Sequence, residues 1–189
     1  MGILSALFGR TKLRKPNREV FFAVVTAESS LQGRTDLRQT GQAGIVFNPV
    51  ESQYFDELKT ELQNLLHVSG RSTGTKFHIC DDSFGTRWVT LEDQHFEDLT
   101  STIHLVSETI YDHGFGDRLL AAVFKFKYQN DDAYLIYSYK RGAFYPFIPT
   151  SDQQRNNASE LRLGATMDAE QIPIENNIEQ WYALWGIPF

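Results

Sequence analysis

Few residues of this chain stand at spacings that chemistry can use. His78 and Cys80 alternate, so on a strand they share a face, with Asp81 and Asp82 immediately behind. That is half of a metal site. The sequence offers no second Cys pair and no Glu-x-x-His or His-Glu-x-x-His to supply the other half. A small core cysteine beside a surface histidine explains the pair more simply. Cys80 with a distant histidine would make a nucleophile and base, yet its neighbours match no nucleophile signature. His95, His104 and His113 recur every nine residues. Nine residues are about 2.5 helical turns, so successive rings point to opposite sides and cannot share an ion. Asp81–Asp82 and Asp131–Asp132 are paired carboxylates, but both pairs fall in expected turns, where aspartate has a structural reason to be. The glycines of 113–117 neither follow a strand nor open a helix, so no phosphate loop is expected. The sequence therefore nominates no catalytic residue, no metal site and no cofactor.

The strongest remaining candidate is the stretch Asp132–Pro149. Ala133–Lys140 is β-branched and aromatic and reads as a strand. Lys140 and Arg141 then meet Gly142, and Phe144, Tyr145, Pro146 and Phe147 follow. Gly142 permits a left-handed turn and Pro146 fixes φ, so the expectation is a rigid turn that displays cations beside aromatic faces. Arg141 in such a turn forks onto a carboxylate or phosphate, or stacks on Phe144 or Tyr145. Lys140, Arg141, Phe144, Tyr145 and Phe147 are the candidate partner-binding residues. The structural alternative is a clamp: Arg141 pairs with an acid such as Glu160 and pins the C-terminal segment, with its Trp181 and Trp185, to the sheet.

A second candidate lies at the start. Ile3, Leu4, Leu7 and Phe8 fall on one helical face, and Arg10, Lys12, Arg14 and Lys15 follow without an acid. In a chain of net charge −6 this is a local charge reversal. An amphipathic helix beside a basic patch is drawn to anionic lipid by apolar and Coulomb terms together, which makes all eight candidate membrane-contact residues. The alternative is a short helix packed on the domain or on a protein partner. Position 6 is Ala, not the Ser or Thr of a myristoylation signal.

These candidates are positioned by an ordinary globular chain of 189 residues, 41% apolar and 22% charged. One domain is expected over 19–189, preceded by the basic arm 1–18. Net negative charge argues against a nucleic-acid partner. A single cysteine excludes an internal disulfide and fits a reducing cytoplasm. No run is long enough to cross a bilayer. Expected helices begin at Arg18, at Asn48-Pro49-Val50-Glu51 with Asn48 as cap, and at about Asp93. The second buries Phe55, Leu58, Leu62, Leu65 and Leu66 and ends at Ser69-Gly70; the third runs to His113 with Gly114 as its stop. Expected strands are Gly44–Phe47, a hairpin through Phe77, Ile79, Trp88 and Val89, the longest strand Leu119–Tyr128, then Ala133–Lys140 and an edge strand at Glu160–Leu163. Trp181, Tyr182, Leu184, Trp185 and Phe189 are too apolar to dangle in water and are expected to dock on the core. The order implies an α+β fold: an antiparallel sheet with two main amphipathic helices on one face. It is similar in element order to the secretion-chaperone-like fold.

With these residues placed, the chain resembles the PspA-associated protein family, PspAB. The segments that carry the resemblance are Met1–Arg10, Thr40-Gly41, Gly114-Phe115-Gly116, Tyr139–Phe147, Arg155–Leu161 and Trp181 with Leu184-Trp185-Gly186. Asn156 stands where an acid is expected. The resemblance implies a non-enzymatic adaptor or regulator of the membrane-stress (phage-shock-type) response, in the cytoplasm or peripheral at the inner face of the membrane. The implied partner is a PspA-like protein or an HtpX-like membrane protease, with weak anionic-lipid contact through the arm. The competing class is a hydrolase-type enzyme using the Lys140-Arg141 turn or the Cys80 region.

Overall fold

In the computed structural model the described residues are Lys15 and 17–189. Ile3, Leu4, Leu7, Phe8, Arg10, Lys12 and Arg14 lie outside them. The chain runs α1 (Arg18–Thr35), β1 (Leu37–Phe47), α2 (Gln53–Thr73), β2 (Lys76–Asp81), β3 (Arg87–Glu92), α3 (Phe96–Ile110), β4 (Leu119–Tyr128), β5 (Asp131–Ser138), β6 (Ala143–Phe147) and α4 (Asn157–Ala169). The fold is α+β: one six-stranded antiparallel sheet in the order β2-β3-β1-β4-β5-β6, with four helices.

Local chemistry explains the helix ends. Asn17 caps α1 by accepting from the Glu19 N–H at 3.0 Å, and Phe21, Val24, Ala27 and Leu31 form the buried stripe at steps of three and four. α2 starts at Ser52, not Asn48: the Asn48 N–H is still tied to the Arg118 carbonyl, and Ser52 Oγ accepts from the Phe55 N–H at 3.2 Å. It ends on Gly74, φ 87°, rather than at Ser69-Gly70. α3 closes through a wide turn, Tyr111–Phe115, in which Gly114 takes φ 82°. Glu160–Leu163, expected as an edge strand, lies in the first half of α4. Asn156 explains both this error and its own presence: its Oδ1 accepts from the Ser159 N–H at 3.1 Å, so it serves as a helix cap.

The sheet has an apolar layer on each side. Toward the helices, Ala43, Ile45, Phe47, Phe124, Phe126, Leu135, Tyr137 and Phe144 pack with the stripes of α1, α2 and α3 and with Leu163 and Met167 of α4. On the opposite face lie Val46, Trp88, Leu120, Ala121, Val123, Tyr134, Ile136, Tyr145 and Phe147. Among the described residues no helix covers that second face. Residues 181–189, which have no regular secondary structure, cross it as a strap. β1 carries two extra residues in a bulge at Thr40–Gln42 and β4 one at Leu120, so 11 residues of β1 run against 10 of β4. Gly41, φ 76°, sits in that bulge, and a Cβ there would lie 2.7 Å from the Asp93 carbonyl oxygen.

Candidate functional site

The β5–β6 turn is tight because the Arg141 and Gly142 N–H groups both donate to the Ser138 carbonyl, at 3.1 and 2.7 Å, with Gly142 at φ 66°. Phe144, Tyr145 and Phe147 do not belong to the turn. They are strand β6, at most 3% exposed, and their rings are split between the two apolar layers. Period two along the strand sends Phe144 to the helix side and Tyr145 and Phe147 to the strap side. Burial pushes the Tyr145 hydroxyl far above its ordinary range. What the turn leaves nearer to solvent is Arg141, with Lys140 half-buried beside it.

Arg141 faces the segment that leads into the strap. Its Nη2 donates to Gln180 Oε1, its Nε lies 3.9 Å from the Glu175 carboxylate, and the Tyr182 hydroxyl donates to the same Gln180 oxygen at 2.6 Å. Glu160, offered as an example of an acid that Arg141 would meet, is paired with Arg155 instead. It is buried, its Oε1 accepts from the Ile148 N–H at 2.8 Å, and its Oε2 accepts from Arg155 Nε at 2.8 Å. Arg155 Nη1 then donates to the Trp181 carbonyl at 2.5 Å, and the guanidinium lies 5.5 Å from the centre of the Phe147 ring. The hydrogen bonds therefore run Ile148–Glu160–Arg155–Trp181, with Arg141 separately bonded to Gln180 in a more exposed position. Arg155 precedes Glu160 by only five residues, across the α4 cap, whereas Arg141 is held in a turn on the far side of β6, which is why local geometry favours Arg155.

Trp181 is buried, donates from Nε1 to the Glu175 carbonyl at 2.8 Å, and lies so close to α4 that a Cβ at Gly164 would fall 2.6 Å from its ring. Trp185 meets Phe147 edge-on with centroids 5.1 Å apart. Phe189 reaches Trp88 of β3, 6.1 Å between centroids, and presses on Gly44, where a Cβ would lie 2.7 Å from its ring. Gly44 and Gly164 are thus the small residues that admit the strap, a role visible only once their partners are known.

Three further places bring titratable groups together. A cleft of about 570 Å³ opens between the β1 bulge, the end of α2 and the start of α3, lined by Thr40, Lys76, Glu92, Asp93 and His95 among others. Asp93 accepts from Thr75 Oγ1 at 2.5 Å and from the His95 N–H at 2.8 Å; burial opposes ionisation, but these bonds hold its carboxyl below the usual range. Asp93, His95 and Asp98 bring one ligand-type atom each within 4.8 Å. The Cys80 thiol is pushed up by burial and by Asp81 and Asp82, the reverse of what activates a nucleophile. His104 is buried against Phe21 and Phe22, its Nδ1 without a partner and its Nε2 3.6 Å from Glu108. His95 and His113 stand apart from it, the latter paired with Glu61 at 2.9 Å.

Of the four arm cations Arg10, Lys12, Arg14 and Lys15, the last is described. Its Nζ lies 3.4 Å from both Glu108 and Asp112 near the end of α3, and hydrogen bonding to Asp112 raises its pKa. No described helix is long and apolar enough to cross a membrane. A family model described as PspAB, PspA associated protein B, matches residues 1–189. No curated protein and no solved structure matches the chain.

Proposed function

Because the chain belongs to the PspA associated protein B family, we propose that it is a non-enzymatic adaptor that binds a PspA-like protein at the inner face of the membrane. The observation that carries this reading is the family match over the whole chain, whose name states the association. Charge distribution supports it. Residues 1–18 hold five cations and no acid, while the remainder holds thirteen cations against twenty-four acids. Such a chain meets an anionic surface through its arm and turns its acidic body away. Lys15, the described end of the arm, is neutralised by Glu108 and Asp112 near the end of α3, so the lipid contact falls to Arg10, Lys12 and Arg14. Arg141, at the rim of the β5–β6 turn, is the candidate partner contact. Phe144, Tyr145 and Phe147 support it from inside rather than touching the partner. An HtpX-like protease is a second partner in the same reading.

Calorimetric titration of the full chain with purified PspA-like protein from the same organism tests this. The adaptor reading requires saturable binding that Arg141→Glu weakens at least several-fold while lowering the melting temperature by no more than a few degrees. Absence of heat and of co-migration at about 100 µM, weaker than any useful adaptor affinity, counts against it.

A further inference from the structure

The two edges of the sheet are treated differently. At the β6 edge, residues 173–175 run alongside: the Phe144 N–H donates to the Pro173 carbonyl at 2.8 Å, the Glu175 N–H donates to the Phe144 carbonyl at 2.9 Å, and Ile174 forms a parallel bridge to Phe144. β2 forms the other edge, and among the described residues no strand, bridge or loop bonds to its outer side. Of the usual guards it has charged side chains, Lys76 and Asp81, but no proline and no bulge.

The register identifies which backbone groups are open. The Asp82 N–H donates to the Thr86 carbonyl at 2.9 Å, so the bonded pairs with β3 continue in steps of two as Cys80–Trp88, His78–Thr90 and Lys76–Glu92. Phe77, Ile79 and Asp81 therefore point their N–H and C=O groups outward. We propose that this edge pairs antiparallel with β2 of a second copy of this chain, about a two-fold axis at Ile79, joining two six-stranded sheets into one.

Charge selects both the occupant and the register. Centring on Ile79 sets Phe77 opposite the second Asp81 and Ile79 opposite itself, for about six backbone hydrogen bonds, two per bonded pair. It also sets Lys76 opposite the second Asp82, on the same face as His78 opposite the second Cys80. The strand is basic at its start and acidic at its end, so an antiparallel copy complements it twice. Burial opposes ionisation of Asp82, but hydrogen bonds from Thr86 and Trp88 keep its carboxyl below the usual range and hence charged. Shifting the axis to Cys80 sets Asp81 diagonal to Asp81 and moves Lys76 opposite Phe84; shifting it to His78 removes Asp82 from the pairing. An isologous contact of this kind closes at two copies and leaves no further edge of the same type.

Sedimentation equilibrium of the full chain over a hundredfold concentration range should give twice the monomer mass at the top. His78→Cys should give, on mild oxidation, a disulfide-linked dimer in which peptide mapping joins the introduced thiol to Cys80 of the other copy, because positions 78 and 80 form the close, non-bonded kind of pair. Thr90→Cys, one strand inward, should not. Ile79→Pro removes an outward N–H without touching the β2–β3 ladder and should shift the equilibrium to monomer at least tenfold; Lys76→Glu, which keeps the backbone intact, should weaken dimers several-fold should the proline variant misfold. A chain that stays monomeric at about 100 µM overturns the proposal and leaves the edge to a strand of another protein. A dimer in which His78→Cys gives no link to Cys80, or one that is indifferent to Lys76→Glu, places the interface elsewhere and overturns it equally.

Discussion

Deleting residues 181–189 uncovers one whole face of the sheet. Trp181 is 7% exposed, and Leu184, Trp185, Ile187 and Phe189 pack on the layer formed by Val46, Trp88, Leu120, Ala121, Val123, Tyr134, Ile136, Tyr145 and Phe147. A fully buried large ring contributes about 1.5–3 kcal/mol, and the partly buried side chains contribute a fraction of that each. Arg155 Nη1 also loses the Trp181 carbonyl that it donates to, and an interior donor left unpaired costs about 1–3 kcal/mol. Together the loss is about 5–9 kcal/mol, against a whole-domain stability of about 5–15 kcal/mol. At this size about 1 kcal/mol moves the midpoint by roughly 2–4 °C, so the shortened chain should melt at least about 10 °C lower or lose its cooperative transition. Thermal unfolding followed by near-ultraviolet circular dichroism reads this directly, and dye binding to the uncovered face should rise. A midpoint within a few degrees of the full chain would refute the reasoning, because the strap would then be lying on the sheet without stabilising it.

The two ties to the strap should separate cleanly. Glu160→Ala removes the carboxylate from the Arg155 guanidinium, leaves the Ile148 N–H unpaired in the interior and should cost about 3–5 kcal/mol in denaturant unfolding, whereas Arg141→Ala, at the exposed tie, should cost at most about 1 kcal/mol. Cys80 should alkylate more slowly than a free thiol at about pH 7–8, with its rate rising at higher pH than that of glutathione, since its thiol is held protonated by burial and two acids; a faster rate at neutral pH contradicts this. His104 has a depressed pKa from burial, with Glu108 opposing and Arg18 and Lys15 reinforcing. The unfolded chain therefore takes up a proton below about pH 6.5 that the folded one resists, so stability falls as pH falls through that range. Urea midpoints of His104→Leu should be flatter than those of the parent between about pH 7 and 5.

Much of the sheet is legible in the sequence because its signals are local. The β4 bounds, the hairpin around Asp81–Gly85 and the seam of α3 all follow from alternation or 3.6-residue spacing against nearby turn residues. Expectation and structure part where two local signals compete. Asn48-Pro49 and Ser52 both look like helix starts, and the backbone bond from Asn48 to Arg118, which decides between them, is non-local. Glu160–Leu163 reads as a strand only if Asn156 is not seen as a cap. The tryptophans announce a docked C-terminal segment, but the face that it covers depends on which side the helices leave bare. The cation that Glu160 meets is not legible, because the fold brings Arg155, and not Arg141, over the α4 cap.

Co-sedimentation with vesicles of wholly anionic or wholly zwitterionic lipid, with and without the purified PspA-like protein, tests the central claim most directly. Each cation near an anionic surface contributes about 1 kcal/mol, a contribution that salt screens. The account predicts that the full chain sediments weakly with anionic vesicles alone and strongly once the PspA-like protein coats them. Binding should fall with added salt, and a chain beginning at Asn17 should be recruited only by the coat. Equal sedimentation of both chains on bare anionic vesicles, or no recruitment of either by the coated ones, would contradict it.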